Sequence, residues 1–196
     1  VSATNCTVGY PQQVSVVVED DDSAPTVNLS VSKTSITESA SSPSATVTAT
    51  LSAISGLPVT VIPTFGGSAT WMSDYSNTVS SIVIPAGSAA GSLTIRTMQD
   101  TRDEAAETVT VTLGEIVNGA AGLTNQVTVT ITDDDPAPTV TLSAGETRSV
   151  IEAWGQATLT AALSAVSELP VTVVLSVSGT AAPVSDFTLS PMSIAI

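Results

Sequence analysis

The chain has no histidine, a single cysteine, and only four lysines and arginines against 18 aspartates and glutamates. Without histidine, neither a Ser-His-Asp nor a Cys-His arrangement can be assembled from its own side chains. Cys6 has no partner for an internal disulfide, so it reads as a small apolar core residue. Aromatic residues make up 3% of the 196 positions, and Trp71 and Trp154 are the two tryptophans. A carboxylate pair that cleaves glycosides needs a deep cleft with aromatic sugar platforms, and this chain is too poor in rings to line one; both tryptophans read as partly buried loop anchors. No apolar run approaches the length of a membrane span. A net charge of −14 leaves no basic face for nucleic acid or an anionic membrane. No enzyme is expected, and the surface suits cations.

What is present is a Val-, Thr-, Ser- and Ala-rich mixture almost free of long charged helix formers, which favours strands. It is also repetitive. EDDDSAPTVNLS, from Glu19 to Ser30, returns 113 positions later as TDDDPAPTVTLS, from Thr132 to Ser143. LSAISGLPVTV (51–61) returns as LSAVSELPVTV (163–173), and Ser73-Asp74-Tyr75 as Ser185-Asp186-Phe187. A period of this length is that of a small β-domain. The expected organisation is therefore the last strand of one copy in residues 1–22, a whole copy in 23–135, and the truncated opening of another in 136–196.

Within the whole copy, every second residue of VTVTL and VTVTIT is apolar and the others are Thr, the pattern of a half-buried strand. Seven strands are expected, at residues 26–31, 45–51, 57–65, 80–84, 92–97, 107–113 and 126–132. Such spacing implies an all-β fold of tandem, seven-stranded, antiparallel immunoglobulin-like sandwiches. Alternating strand directions bring the first, third and fifth connections and the end of the last strand to one pole. Glu38, Asp74, Asp100, Asp103, Glu104, Glu107, Asp133, Asp134 and Asp135 all fall there, nine of the chain's 18 acids. The opposite pole has only Glu115. Asp20, Asp21, Asp22, Glu152 and Asp186 hold corresponding places in the flanking copies.

Two carboxylates about 5 Å apart repel by roughly 3 kcal/mol at an effective dielectric near 20. Several such pairs would rival the ~5–15 kcal/mol stability of a domain, so the acids are either protonated or neutralised by a cation. Arg102 is the only basic residue in the group. All the donors are oxygen, which disfavours zinc and copper. Calcium accepts six to eight such oxygens, whereas magnesium prefers to keep its waters. Nine carboxylates exceed the need of one ion.

Glu38, the segments GSATWMSDYS (67–76), IRTMQDTRDEAAETVTVTL (95–113) and VTVTITDDD (127–135), and GTAAPVSDF (179–187) together resemble the Calx-β domain. The resemblance spans the whole chain. It implies a calcium-binding β-sandwich, with Ca2+ ligands on Glu38, Asp74, Asp100, Glu104, Glu107, Asp133, Asp134 and Asp135, and partial sites of flanking repeats at Asp20, Asp21, Asp22, Glu152 and Asp186. The family often pairs aspartates where this chain has Gln99-Asp100, which points to a weakened ion site there. Asp103 has no ligand counterpart.

The function expected from these readings is a calcium-binding structural repeat, a rigid stalk or spacer in a large extracellular or cell-surface, bacterial adhesin-like protein. Ions would sit at the inter-repeat junctions. Its partners would be neighbouring repeats of the same chain, other copies or a surface ligand, with no nucleic acid and no membrane span. Two alternatives stand beside it: a ligand- or glycan-binding adhesion module, marked by an exposed aromatic patch, and a calcium sensor, marked by micromolar half-saturation.

Overall fold

The structure is a computed structural model that describes residues 2–10, 13–39, 41, 43–145, 149–152 and 155–196. Trp154 lies outside the described residues. Strands follow the alternation of the sequence. In β3 (Ser44–Leu51), Ala45, Val47, Ala49 and Leu51 are buried while the threonines between them face outward. In β7 (Ala90–Thr97) the same alternation buries Leu93, Ile95 and Thr97. The outward threonines keep β-propensity without adding apolar surface.

Ten strands build the sandwich over residues 26–132. One sheet has the order β5 (Tyr75–Asn77), β7, β3, β1 (Thr26–Val31), β9 (Ala120–Ala121). The other has the order β2 (Ser35–Thr37), β10 (Gln126–Thr132), β8 (Glu107–Val117), β4 (Val59–Gly66), β6 (Ile82–Ile84). Side chains from both sheets meet in one core that includes Val27, Val47, Val61, Ile84, Ile95, Val109 and Val129.

The seven expected strands are all found, but the expected strand count and purely antiparallel pairing require correction. The short strands β2, β5 and β9 were not anticipated. Two pairings are parallel, β2 with β10 and β1 with β9. The chain leaves the first sheet after Val31 and joins the second at Ser35, so one stretch of sequence contributes an edge to each. A register shift between Ile62 and Pro63 interrupts the pairing of β4 with β8. Gly114 lies opposite, where an added Cβ would stand 2.4 Å from the Ile62 carbonyl oxygen, so the bulge requires glycine.

Residues 136–196 form two strand pairs, β11 (Val140–Ser143) with β12 (Thr160–Leu163) and β13 (Thr172–Val174) with β14 (Ser193–Ala195). Their registers match pairs found earlier in the chain. Val140 faces Leu163 as Val27 faces Leu51, and Val173 faces Ile194 as Val61 faces Ile82. No strand occurs among the described residues before Thr26. Cys6 is exposed there, which corrects its expected core position: without sheet pairing, nothing covers it. No described residue is helical.

Candidate metal centre

Local backbone features deliver each carboxylate to one pole. Gly67, at φ 109°, starts the loop between β4 and β5. An added Cβ there would stand 2.0 Å from the Thr108 carbonyl oxygen, so only glycine lets the loop pass β8. The loop closes on Asp74, whose Oδ2 accepts from the Thr70 amide and whose own amide donates to the Thr70 carbonyl at 3.0 Å. Asp74 is 7% exposed. Its carbonyl accepts from the Met98 amide at 2.9 Å, which ties it to the end of β7.

The connection between β7 and β8 supplies Asp100 and Glu104, and β8 opens on Glu107. Asp100 Oδ1 accepts from the Arg102 amide at 2.8 Å, and the Glu104 amide donates to Asp133 Oδ2 at 3.2 Å. Asp133 Oδ1 accepts from the Asp135 amide at 3.2 Å, curling the aspartate run back on itself. Asp74, Glu104 and Glu107 each place a carboxylate oxygen within 4.8 Å of the other two. Glu38, 3% exposed at the end of β2, faces Asp100, Glu104 and Asp133.

The electrostatics follow from this crowding. Burial, and then the charges of Asp100, Glu104 and Asp133, push the Glu38 carboxyl up to about 7. Burial raises Glu104 to about 7 as well, with Glu168, Asp100 and Asp74 adding to it. Glu107 reaches about 7 through burial and its hydrogen bond with Asp74. Asp135 is raised by burial and by Asp133 and Asp134. Glu107 Oε2 and Asp135 Oδ2 are buried and have no hydrogen-bond partner among the described residues. Buried polar atoms of this kind are normally satisfied.

These residues fit a hard cation. The donors are all oxygen, three converge closely, and two buried oxygens have lone pairs left over. Calcium takes such a set readily. Asp74, Glu104 and Glu107 would hold one ion, with Glu38, Asp100, Asp133 and Asp135 beside them. Bound calcium would supply positive charge that neutralises the pole and links its loops.

The remaining expected site residues are placed differently. Asp134 is exposed next to Asp135. Asp20, Asp21 and Asp22 are exposed on the segment before β1, where the Asp22 amide donates to Asp20 Oδ1 at 3.3 Å. Glu152 is exposed in a turn. Asp186 is also exposed, and its carboxyl is held low by the Ala182 amide, which donates to its Oδ2 at 2.7 Å. Asp103 turns away toward Ser167, whose hydroxyl donates to Asp103 Oδ2 at 2.8 Å. Trp71 is 61% exposed rather than partly buried, and its indole N–H donates to Asn77 Oδ1 at 3.0 Å. Sequence reasoning passed over Glu168, on the turn between β12 and β13, whose charge adds to the rise at Glu104. Its signal was the replacement of Gly56 by a glutamate in the repeated LSAxSxLPVTV stretch.

No curated protein matches the chain. Among solved structures, CBD12 from CALX1.2 is similar at 17% identity and a TM-score of 0.47, over 55% of this chain and 46% of that one. The calcium binding domain CBD12 of CALX1.1 is similar at 18% identity and a TM-score of 0.45, over 52% of this chain and 41% of that one. The apo form of the Calx CBD1 domain is similar at 18% identity and a TM-score of 0.44, over 56% of this chain and 99% of that one. The chain spans less than half the length of the first two. The family model described as the Calx-beta domain matches residues 20–135, more than half of the chain. The chain belongs to the Calx-beta domain family.

Proposed function

We propose that this chain is a calcium-binding structural module, part of a tandem array that serves as a stiff spacer in an extracellular or cell-surface protein of adhesin type. The observation that carries the calcium reading is the convergence of Asp74, Glu104 and Glu107 beside the unpaired buried oxygens of Glu107 and Asp135. The tandem reading draws support from the matching strand registers near 112 positions apart. It also draws on the loop before Asp186, which repeats the Asp74 loop. Val184, like Met72, has positive φ, and each of their amides donates at 2.8 Å to the carbonyl of the aromatic residue three positions on. A spacer role follows from the ions: they cross-link loops at the pole that faces the next segment and hold it against bending.

The ion also stabilises. At external calcium of about 1 mM and a dissociation constant of about 10 µM, each site adds about 2.7 kcal/mol. Melting curves of the whole chain with calcium, with magnesium and with a chelator test this. A rise of several degrees with calcium alone, abolished by Asp74→Asn with Glu107→Gln, is the expected result. An unchanged melting point would leave the acids as a solvated surface and remove the calcium role.

A second reading, ligand or glycan binding, is favoured by one observation. Trp71, pinned by Asn77, lines an open concavity of about 680 Å³ with Phe65, Tyr75 and Val79. A glycan array probed with wild type and Trp71→Ala decides it: binding lost in the variant supports that reading, and no binding by either removes it.

A further inference from the structure

Residues 13–22 repeat β10 and the aspartates that follow it: QVSVVVEDDD stands there as QVTVTITDDD does at 126–135. In β10 the inward residues of this pattern are Val127, Val129 and Ile131, and the last two are buried. Their counterparts Val14, Val16 and Val18 are 78–90% exposed, and the segment is not a strand. An apolar strand sequence with unpaired edges is a template for pairing.

The whole copy shows what such a strand pairs with. There β10 lies parallel to β2, with Thr130 opposite Ser35, Ile131 opposite Ile36 and Thr132 opposite Thr37, and it faces β1 across the core. The chain holds a second version of both partners. Ser149-Val150-Ile151-Glu152 repeats Ser35-Ile36-Thr37-Glu38, and β11 repeats β1. Val150 is exposed where Ile36 is buried, and Val140 and Leu142 are exposed where Val27 and Leu29 are buried. Ser149–Ile151 is not a strand either. Both halves of one pairing are present in the chain, and the pairing is unmade.

The segment does not reach its complement within one molecule. Thr26 pairs with Ala120, at the pole opposite Asp133. The six residues Asp20–Pro25 reach at most about 20 Å, whereas the eleven residues of β8 span roughly 37 Å from pole to pole. Ser149–Ile151 follows the exit of the chain at the far pole.

We propose that residues 13–19 are a donated strand. They lie parallel to Ser149–Ile151 of a second copy of this chain, set Val14, Val16 and Val18 over its β11, and join the copies head to tail. The register carries over from β2 and β10: Val17 opposite Ser149, Val18 opposite Val150, Glu19 opposite Ile151. Donor and acceptor are different surfaces, so each joined copy still presents one of either kind. Nothing in this depends on the calcium reading.

The test uses the whole chain with Cys6→Ser. Sedimentation should show a mass that rises with protein concentration, at physiological salt so that the aspartates after the strand are screened. Val16→Asp charges the covered face and should move that rise to concentrations about tenfold higher or more, the equivalent of one valine left uncovered. Val17→Thr restores the residue of β10 on the outward face and should leave the rise unchanged. Both positions lie outside the sandwich, so neither variant disturbs its fold. Register is read by mixing a Val17→Cys chain with a Ser149→Cys chain in a glutathione redox buffer, where a disulfide should join the two. A Ser30→Cys chain, altered on the exposed side of β1, should form none with the Ser149→Cys chain. A wild-type chain that stays monomeric overturns the inference. So does association that Val16→Asp leaves intact, or a disulfide that forms equally from Ser30→Cys.

Discussion

The Glu38 amide donates to the Thr132 carbonyl at 2.8 Å. That bond extends the parallel pairing of β2 with β10 by one residue and sets the buried Glu38 side chain beside the aspartate run that begins at Asp133. Glu38→Gln keeps the shape and removes the charge. In the presence of a chelator, this variant should melt above wild type at about pH 8, where the native carboxyl must be ionised, and no higher at about pH 5, where it is protonated. Its calcium-induced rise should shrink. Scanning calorimetry reads both, and a lower melting point at either pH would make Glu38 a required hydrogen-bond acceptor instead.

Glu38, Glu104 and Glu107 are each raised from 4.5 to about 7 in the fold. Between those values the folded chain binds more protons than the unfolded one. Stability of the calcium-free protein should therefore fall as pH rises through this window and level off above it. Saturating calcium should remove most of the fall, and calcium binding within the window should release protons. Urea titrations across pH check the slope; stability that rose through the window would contradict the crowding described.

Gly67→Ala should cost about 1–3 kcal/mol, the range for a residue forced into a sparsely populated conformation, because the new Cβ would meet the Thr108 carbonyl. The strain falls on the loop that carries Asp74, so calcium affinity should drop with stability. Chemical denaturation and calcium titration of the variant measure the two effects. A change within about 0.5 kcal/mol, ordinary for a surface substitution, would mean the loop has another path.

Two substitutions, one in each sheet, should separate the inner from the outer faces of the sandwich. Ile95→Ala removes a fully buried side chain and should cost about 2–5 kcal/mol. Val83→Ala, on a side chain 53% exposed, should stay within about 0.5 kcal/mol. Equal costs, read from urea midpoints, would contradict the inward placement of Ile95 and the outward placement of Val83.

Alternation over six or more residues made the longer strands legible: 26–31 and 126–132 were read to the residue, because each carries three or more period-two pairs. β2, β5 and β9 hold two or three residues each, too few for a period, and they exist because a longer neighbour offers an edge. The acids of the pole were legible for a related reason, since strand direction alone assigns loops to ends. What direction leaves open is depth. Asp74 is buried because an amide of its own loop receives it, whereas Asp134 is exposed one position from Asp135. Asp103 went to Ser167 because a turn some 60 residues later arrives there, a contact that no local pattern announces.

The chain enters the sandwich at Thr26 and leaves it at Thr132, and the link between its two halves runs through β2 lying parallel to β10. Tension along the chain drives these strands past each other lengthwise instead of peeling them apart. The Thr130 amide bond to Thr34 and the Glu38 amide bond to Thr132 then carry the load together and must fail together. Under force spectroscopy the module should give way in a single high-force shear event, and an ion bridging Glu38 to Asp133 would act as a clamp across that same line.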